Sequence, residues 1–149
     1  MNRSIYRLIP SAVAVAALSY LPASADTRIE KNLKLDPGGK LTVDADAGSV
    51  TVSGSSSAGA HLVLTSDKDD FDSRFSLKVE ELPGEVRVTL KKKDGLTSWS
   101  NWFSSSKLRF EIQVPTKTTT DLQTGGGHIA LHSLEGEANA QTSGGHIEV

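Results

Sequence analysis

The sequence predicts an all-β fold with β-solenoid-like repeats. Three observations support this prediction: a short internal repeat, alternating apolar residues, and glycine pairs that precede the alternating segments. Residues 121–131 return as residues 139–149, an offset of 18, and six of the eleven aligned positions are identical. A fixed period this short is typical of a solenoid, in which each coil completes its apolar layer only by stacking on the next one.

The alternation within each copy predicts short strands with one buried face. Ile129 and Leu131 alternate with polar or small neighbours, as do Ile147 and Val149 in the second copy. This period of two is that of a β-strand. At roughly 3.3 Å per extended residue, one coil has a perimeter of about 60 Å, which suits a flattened or three-sided β-helix. A sandwich with repeated hairpins remains the alternative architecture.

Glycines mark the turns of the repeat. Each alternating segment follows a glycine pair, and a second corner is marked by Leu134, Glu135 and a further glycine. Glycine tolerates positive φ and has no side chain to collide with a coil stacked about 4.8 Å away. After the second corner, Ala138 and Ala140 are small enough to point into a narrow interior. The predicted turn residues are Gly126, Gly127, Gly136, Gly144 and Gly145.

The motifs of this C-terminal part resemble a known family. Val114 and Pro115 end a strand, Thr-x-Gly-Gly-x-Ile follows at residues 124–129 and 142–147, and Leu-x-Gly lies between the two copies. Residues 108–149 thereby resemble the adhesin-like family of bacterial envelope proteins, a domain of unknown function, and residues 48–52 look like a degenerate earlier copy. The resemblance implies an all-β chain with β-helix-like turns, an envelope location and a non-catalytic adhesin or scaffold role. It implies no catalytic residues.

The N-terminus has the pattern of a secretion signal. Arg3 and Arg7 precede an apolar run at residues 8–21, and a small-residue cleavage site at residues 23–25 stands before Asp26. Such a segment is removed on export. A membrane anchor is the alternative, but the run is interrupted and short for a span of about 20 residues. We therefore expect an exported protein of the periplasm or cell surface that is not integral to the membrane after cleavage.

Charge and cysteine content restrict the partners and the chemistry. Removing residues 1–25 takes away two arginines and no acids, so 14 basic and 18 acidic residues remain, a net charge of -4. This acidic balance argues against a nucleic-acid partner. The chain contains no cysteine, which excludes disulfides and a lipid-anchored cysteine. Residues 26–149 suit a single domain.

Strand patterns continue through the middle of the chain, without helical periodicity. Short apolar alternations are centred on residues 41–43, 50–52 and 62–64. Residues 77–82 and 86–90 alternate on either side of Pro83 and Gly84, which predicts an antiparallel hairpin. Residues 108–114 form the most regular alternation and end at Pro115. We expect antiparallel strands and this hairpin to precede the repeats.

Two groups of polar residues resemble metal sites without completing one. Residues 67–72 are rich in aspartate, but the spacing lacks the glycine and the terminal glutamate of a calcium loop, so a solvated acidic turn is predicted. His128 and His146 occupy equivalent repeat positions and would lie side by side on stacked coils. Two ligands do not make a metal site, and no third is spaced to join them unless His132 does. We expect an exposed histidine ladder and neither a metal nor a cofactor.

The candidate contact residues are aromatic. Trp99, Trp102 and Phe103 lie in a serine-rich segment between residues 91–93, which are all lysine, and Lys107. Exposed loop aromatics contact sugar rings or a membrane interface, and flanking lysines favour anionic surfaces. The alternative is that this loop folds back and caps the open end of the coil. The sequence does not identify the partner, which is a glycan, a protein or an envelope surface.

Catalytic patterns are missing from the sequence. It contains no cysteine nucleophile, no Gly-x-Ser-x-Gly elbow, no His-Glu-x-x-His helix and no P-loop. A β-helix polysaccharide lyase is the best enzyme alternative, and it would require basic and acidic residues together on one coil face. A periplasmic stress accessory or sensor is a further alternative. Because Val149 falls at a strand end, we expect a fragment of a longer protein or an edge that pairs with another chain.

Overall fold

The computed structural model describes residues 27–93 and 107–149, and these residues form eleven strands and one short helix. The predicted signal segment and the residues Trp99, Trp102 and Phe103 lie outside the described residues. The strands are β1 Thr27–Leu33, β2 Lys40–Ala45, β3 Ser49–Ser55, β4 Ala60–Ser66, β5 Phe75–Leu82, β6 Glu85–Lys92, β7 Leu108–Pro115, β8 Thr119–Thr124, β9 Ile129–His132, β10 Ala138–Thr142 and β11 Ile147–Glu148, and the helix is α1 Phe71–Arg74. Within this part of the chain, no helix is long and apolar enough to cross a membrane.

The strands form two sheets over one hydrophobic core. Sheet A has the order β1-β4-β7-β3-β9-β11, and sheet B has the order β10-β8-β2-β6-β5. The alternating apolar residues of both sheets belong to a single buried cluster, in which Leu41, Val88 and Leu122 of sheet B join Val50, Phe110 and Ile129 of sheet A. The predicted all-β class and the antiparallel hairpin of β5 and β6 are confirmed.

The two copies of the repeat stack in parallel and in register. β10 pairs with β8 from Ala138 opposite Thr120, and β11 pairs with β9 from Ile147 opposite Ile129, an offset of 18 in both sheets. We call one strand of sheet B together with the next strand of sheet A a coil. The single offset in both sheets means that the last coil pairs with the preceding one through both of its strands.

An earlier segment of the chain forms a third coil in the same stack. β2 pairs in parallel with β8, and β3 pairs in parallel with β9. Lys40 lies opposite Thr119 and Val50 opposite Ile129, 79 positions apart in both cases. The structure thus differs from the expectation of purely antiparallel strands before the repeats. β2 and β3 run parallel to β8 and β9 because β2 and β3 form a coil of the same shape as a repeat copy and stack on the next coil.

A fourth coil, β6 and β7, differs from the others by an insertion at its corner. Lys40 lies opposite Glu85, an offset of 45, whereas Ser49 lies opposite Arg109, an offset of 60. Counted between residues that pair with each other, the segment from β6 to β7 is therefore 15 residues longer than the segment from β2 to β3. The three candidate aromatic residues belong to this insertion.

The order of the coils in space differs from their order along the chain. The stack runs from β6 and β7 through β2 and β3, then β8 and β9, to β10 and β11. β5 pairs antiparallel with β6, and β4 pairs antiparallel with β7, so these strands cover one end of the stack. β10 and β11 are the outermost strands at the other end.

Two local features differ from the sequence prediction. The last two residues of the acidic segment belong to α1, and Phe71 at the start of this helix is buried and stacks on Phe75 with ring centroids 5.7 Å apart. Ala138 was expected to point into the interior but is exposed, whereas Ala140 packs against the core. The edge position explains the exposure of Ala138, since β10 has a neighbouring strand on one side only.

Candidate functional site

The threonine of the repeat motif makes the same bond in successive coils. The hydroxyl of Thr124 donates to the carbonyl oxygen of Gly48 at 2.8 Å, and the hydroxyl of Thr142 donates to that of Gly127 at 2.8 Å. Gly48 and Gly127 occupy the same corner position in successive coils, because the offset between those coils is 79. Each threonine therefore ties its coil to the corner of the coil beneath it and satisfies a carbonyl group there.

The stacked corners leave no space for a side chain at some glycines. A Cβ atom on Gly127 would collide with the carbonyl oxygen of Gly48, and one on Gly145 would collide with that of Gly127. Gly136 has the same close approach to Thr118 at the second corner. The first glycine of each pair is less restricted: Gly126 has open space, and the nearest atom to a Cβ on Gly144 is 3.9 Å away.

The two repeat histidines stack on each other. The ring centroids of His128 and His146 are 3.9 Å apart at an interplanar angle of 37°, and the backbone N–H of His146 donates to Nδ1 of His128 at 3.3 Å. A ring nitrogen that accepts a hydrogen bond has its lone pair engaged and does not offer it to a metal at the same time. The described residues contain no group of three side chains that could hold a metal ion.

The acidic segment at residues 67–72 makes structural bonds. The carboxylate of Asp67 accepts from the backbone N–H of Lys107 at 2.8 Å, and its own N–H donates to the carbonyl of Lys107 at 3.3 Å. Asp70 pairs with Arg74 of α1 at 2.7 Å. The aspartates thus hold the start of β7 and the short helix in place.

The other stem of the aromatic insertion is fixed as well. The N–H of Lys93 donates to the carbonyl of Arg74 at 2.9 Å, and the ammonium group of Lys93 bonds to the carbonyl of Asp72. The N–H of Lys92 donates to the carboxylate of Asp46 at 2.8 Å. Both stems of residues 94–106 therefore start from an ordered base, which we call the loop base and define as residues 67–74, 91–93 and 107 with Asp44 and Asp46.

The loop base contains equal numbers of positively and negatively charged residues. Lys91 lies 2.8 Å from Asp44 and 3.3 Å from Asp46, and the hydrogen bond to Asp44, with that to Asp46, raises the pKa of Lys91. The base contains six cationic residues and six aspartates. Its cations are Lys68, Arg74, Lys91, Lys92, Lys93 and Lys107, and its aspartates are Asp44, Asp46, Asp67, Asp69, Asp70 and Asp72. The lysines that flank the aromatic residues therefore do not form a net positive patch.

Two shallow hollows open on the described surface. The larger, about 350 Å³, lies beside the turn of the hairpin and is lined by residues 34–36 and 81–84. The smaller, about 180 Å³, is lined by polar groups that include Asn32, His61 and Gln113. His61 lies 2.7 Å from Glu30, and this hydrogen bond lowers the pKa of Glu30. Neither hollow is a deep enclosed cavity of the kind that holds most small-molecule ligands.

The fold has counterparts among solved structures. A proposed cell adhesion protein from Clostridium sporogenes superposes with a TM-score of 0.55 and 17% identity, covering 80% of this chain and 59% of that one. A proposed adhesin from Parabacteroides distasonis gives a TM-score of 0.45 at 7% identity, covering 83% and 48% of the two chains. One from Bacteroides fragilis gives 0.44 at 14% identity, covering 81% and 55%.

The comparisons establish the fold and no more. No protein-family model and no curated protein matches the chain. The chain spans about three fifths of the length of the Clostridium sporogenes structure. Fold likeness alone does not transfer an activity. The chain shares the two-sheet, all-β fold of that proposed cell adhesion protein.

Proposed function

We propose that the chain is an exported, non-catalytic binding module of adhesin type that works in the periplasm or at the cell surface. We also propose that its stacked coils are turns of a β-solenoid, with the aromatic insertion as the contact element. The observation that carries the proposal is the change of offset from 45 to 60 between β6 and β7. Three of the four coils turn a short corner, and the fourth has 15 additional residues there, with both tryptophans among them.

The position of the aromatic insertion in the stack supports a contact role for its aromatic residues over a capping role. Among the described residues, no strand pairs with the outer side of β10 or β11, whereas the insertion leaves from β6 and β7 at the far end. The coil of β10 and β11 and the coil of β6 and β7 are three strand spacings apart, about 14 Å at 4.8 Å per spacing. The end from which the insertion leaves is already covered by β4 and β5. The insertion is thus not required there as a cap, and aromatic residues on a loop with a fixed base suit recognition.

The chemistry of the described surface favours binding over catalysis. The corners of the two repeat copies are rich in glycine, and the hydroxyl groups of Thr124 and Thr142 beside them are occupied by bonds between coils. Ion pairs on the coil faces, such as Lys91 with Asp44 and Arg87 with Glu85, are exposed. A lyase would require such groups to be gathered around a substrate cleft, and the two described hollows are shallow.

The aromatic insertion is tested with residues 26–149 and a panel of envelope glycans and anionic liposomes. The single variants Trp99→Ala and Trp102→Ala each keep one tryptophan as a fluorescent reporter, and calorimetry measures the double variant. We expect saturable binding whose Kd rises about five- to thirtyfold in each single variant, because buried aromatic contacts contribute about 1–2 kcal/mol.

The matched control is Gln123→Ala, an exposed substitution on sheet B that leaves the insertion unchanged. It should bind like the parent chain. Because the charges of the loop base cancel, binding should also vary little with salt. The proposal fails if no probe binds and the free protein already shows blue-shifted tryptophan emission, since the loop would then be packed as a structural cap.

A further inference from the structure

A line of polar side chains crosses the outer face of sheet A, and we call it the polar row. The pairing register places Asn32 opposite His61, His61 opposite Gln113, Gln113 opposite Ser53, and Ser53 opposite His132. Paired residues on neighbouring strands point to the same side of a sheet. The members come from β1, β4, β7, β3 and β9, and all five are exposed or half-buried.

The polar row has the dimensions of an extended polymer site. Neighbouring strands lie about 4.8 Å apart, so five side chains in register span about 19 Å. This spacing is close to the repeat of an extended chain of six-membered sugar rings. One end of the row opens into the hollow of about 180 Å³, whose lining adds Ser55 and Ser57 to Asn32, His61 and Gln113.

The hydrogen-bonding groups of the polar row are largely unused. Among the described residues, the side chains of Asn32, Ser53, Gln113 and His132 have no hydrogen-bond partner, and His61 bonds only to Glu30. Amide, hydroxyl and neutral imidazole groups each donate and accept. Sugar hydroxyls have the same double capacity, so each member of the row could bond to one ring.

The charges beside the polar row select an uncharged ligand. The next row on the same face contains Glu30, Glu111 and Glu148, and it lies two residues away along the strands, about 7 Å. Arg28 and Arg109 lie one row further from the polar row. An anionic polymer on the polar row would approach the carboxylates first, whereas a neutral polymer would meet no repulsion.

We propose that the polar row binds a neutral, extended polysaccharide chain that lies across the strands of sheet A. This inference rests on the proposed binding function and names a ligand class for it, at a surface separate from the aromatic insertion. The sites on β7, β3 and β9 exist only because these strands stack in register.

The test is affinity electrophoresis of residues 26–149 in native gels that contain hydroxyethylcellulose, with polygalacturonate as the charged comparison. The gels are run at pH 7.5. Hydroxyethylcellulose should retard the parent chain and polygalacturonate should not. Gln113→Ala and His132→Ala should each raise the Kd about fivefold, the effect of one lost hydrogen bond, and the double variant should raise it more.

Three controls make the outcome specific. Gln123→Ala removes an exposed amide from the opposite sheet and should bind like the parent chain. The Trp99→Ala, Trp102→Ala double variant should keep its retardation, which separates this site from the aromatic insertion. Circular dichroism checks that each variant folds. The inference is overturned if the parent chain is not retarded, if Gln113→Ala and His132→Ala bind unchanged, or if polygalacturonate binds equally well.

Discussion

Replacing Gly127 with alanine is expected to lower the free energy of unfolding by about 3–5 kcal/mol, measured by urea denaturation. Gly127 has a φ of 141°, where an L side chain is strained, and its new Cβ would collide with the carbonyl oxygen of Gly48. Strain of this kind costs about 1–3 kcal/mol, and overpacking costs a similar amount. The collision is with backbone of another coil, so it is relieved only by separating the coils.

Gly126→Ala is the matched control for this substitution. Its Cβ would meet no atom within 4 Å, so we expect a change within about 1 kcal/mol, as for a glycine that can accept alanine. Equal free energies of unfolding for Gly127→Ala and Gly126→Ala would contradict the close stacking of the corners.

Replacing Phe110 with alanine is expected to lower the free energy of unfolding by about 3–5 kcal/mol, the usual cost of removing a buried aromatic ring. Phe110 is fully buried in β7, between Val50 of β3 and Leu64 of β4. Its removal leaves a cavity at the centre of sheet A, where the parallel coils meet the antiparallel strands. Thermal and urea unfolding both measure the loss.

The control for Phe110 is its exposed neighbour. Arg109→Ala lies on the same strand with its side chain on the outer face, and we expect a change within about 0.5 kcal/mol. A small effect of Phe110→Ala, comparable to that of Arg109→Ala, would contradict the common core of the two sheets.

The sequence predicts the parts of this fold whose signals are local. The 18-residue offset of the repeat is also the offset between paired residues of β8 and β10 and of β9 and β11, so each residue and its partner occupy the same place in the motif. The hairpin around Pro83 and Gly84 was predicted for the same reason, since both strands lie next to their turn. Residues 48–52 resemble an earlier copy, and residues 49–52 belong to β3, which pairs with β9.

The remaining structure depends on contacts between distant parts of the chain. The offset of 79 between β2 and β8 leaves no repeated motif long enough to align. Helix α1 has four residues, too few to show a helical period. Asp67 holds the stem of the aromatic insertion through the backbone of Lys107, 40 residues away, so its partner has no side-chain signature.

The two candidate surfaces also depend on contacts between distant parts of the chain. The aromatic residues were visible in the sequence because they are neighbours there, but the insertion that carries them becomes evident only from the change of offset between β6 and β7. The polar row takes one residue from each of five strands. Such a line has no sequence pattern, because strand order decides which residues meet.

The stacking of distant segments of the chain in one set of coils depends on the register of β2 on β8, so this register is the most direct test of the fold. The chain has no cysteine, and Thr42 lies opposite Asp121 on the outer face of sheet B. A disulfide needs Cα atoms within about 4.4–6.8 Å, which neighbouring paired strands provide. Under mild oxidation, Thr42→Cys with Asp121→Cys should cross-link almost completely.

The control pair is Thr42→Cys with Gln123→Cys, which places the second thiol two residues further along β8. The Cα atoms then lie about 8 Å apart, beyond the reach of a disulfide. Mass spectrometry of the oxidised, digested protein measures both cross-links. We expect the first cross-link to form and the second not to form, and the opposite result would mean that the coils are stacked in a different register.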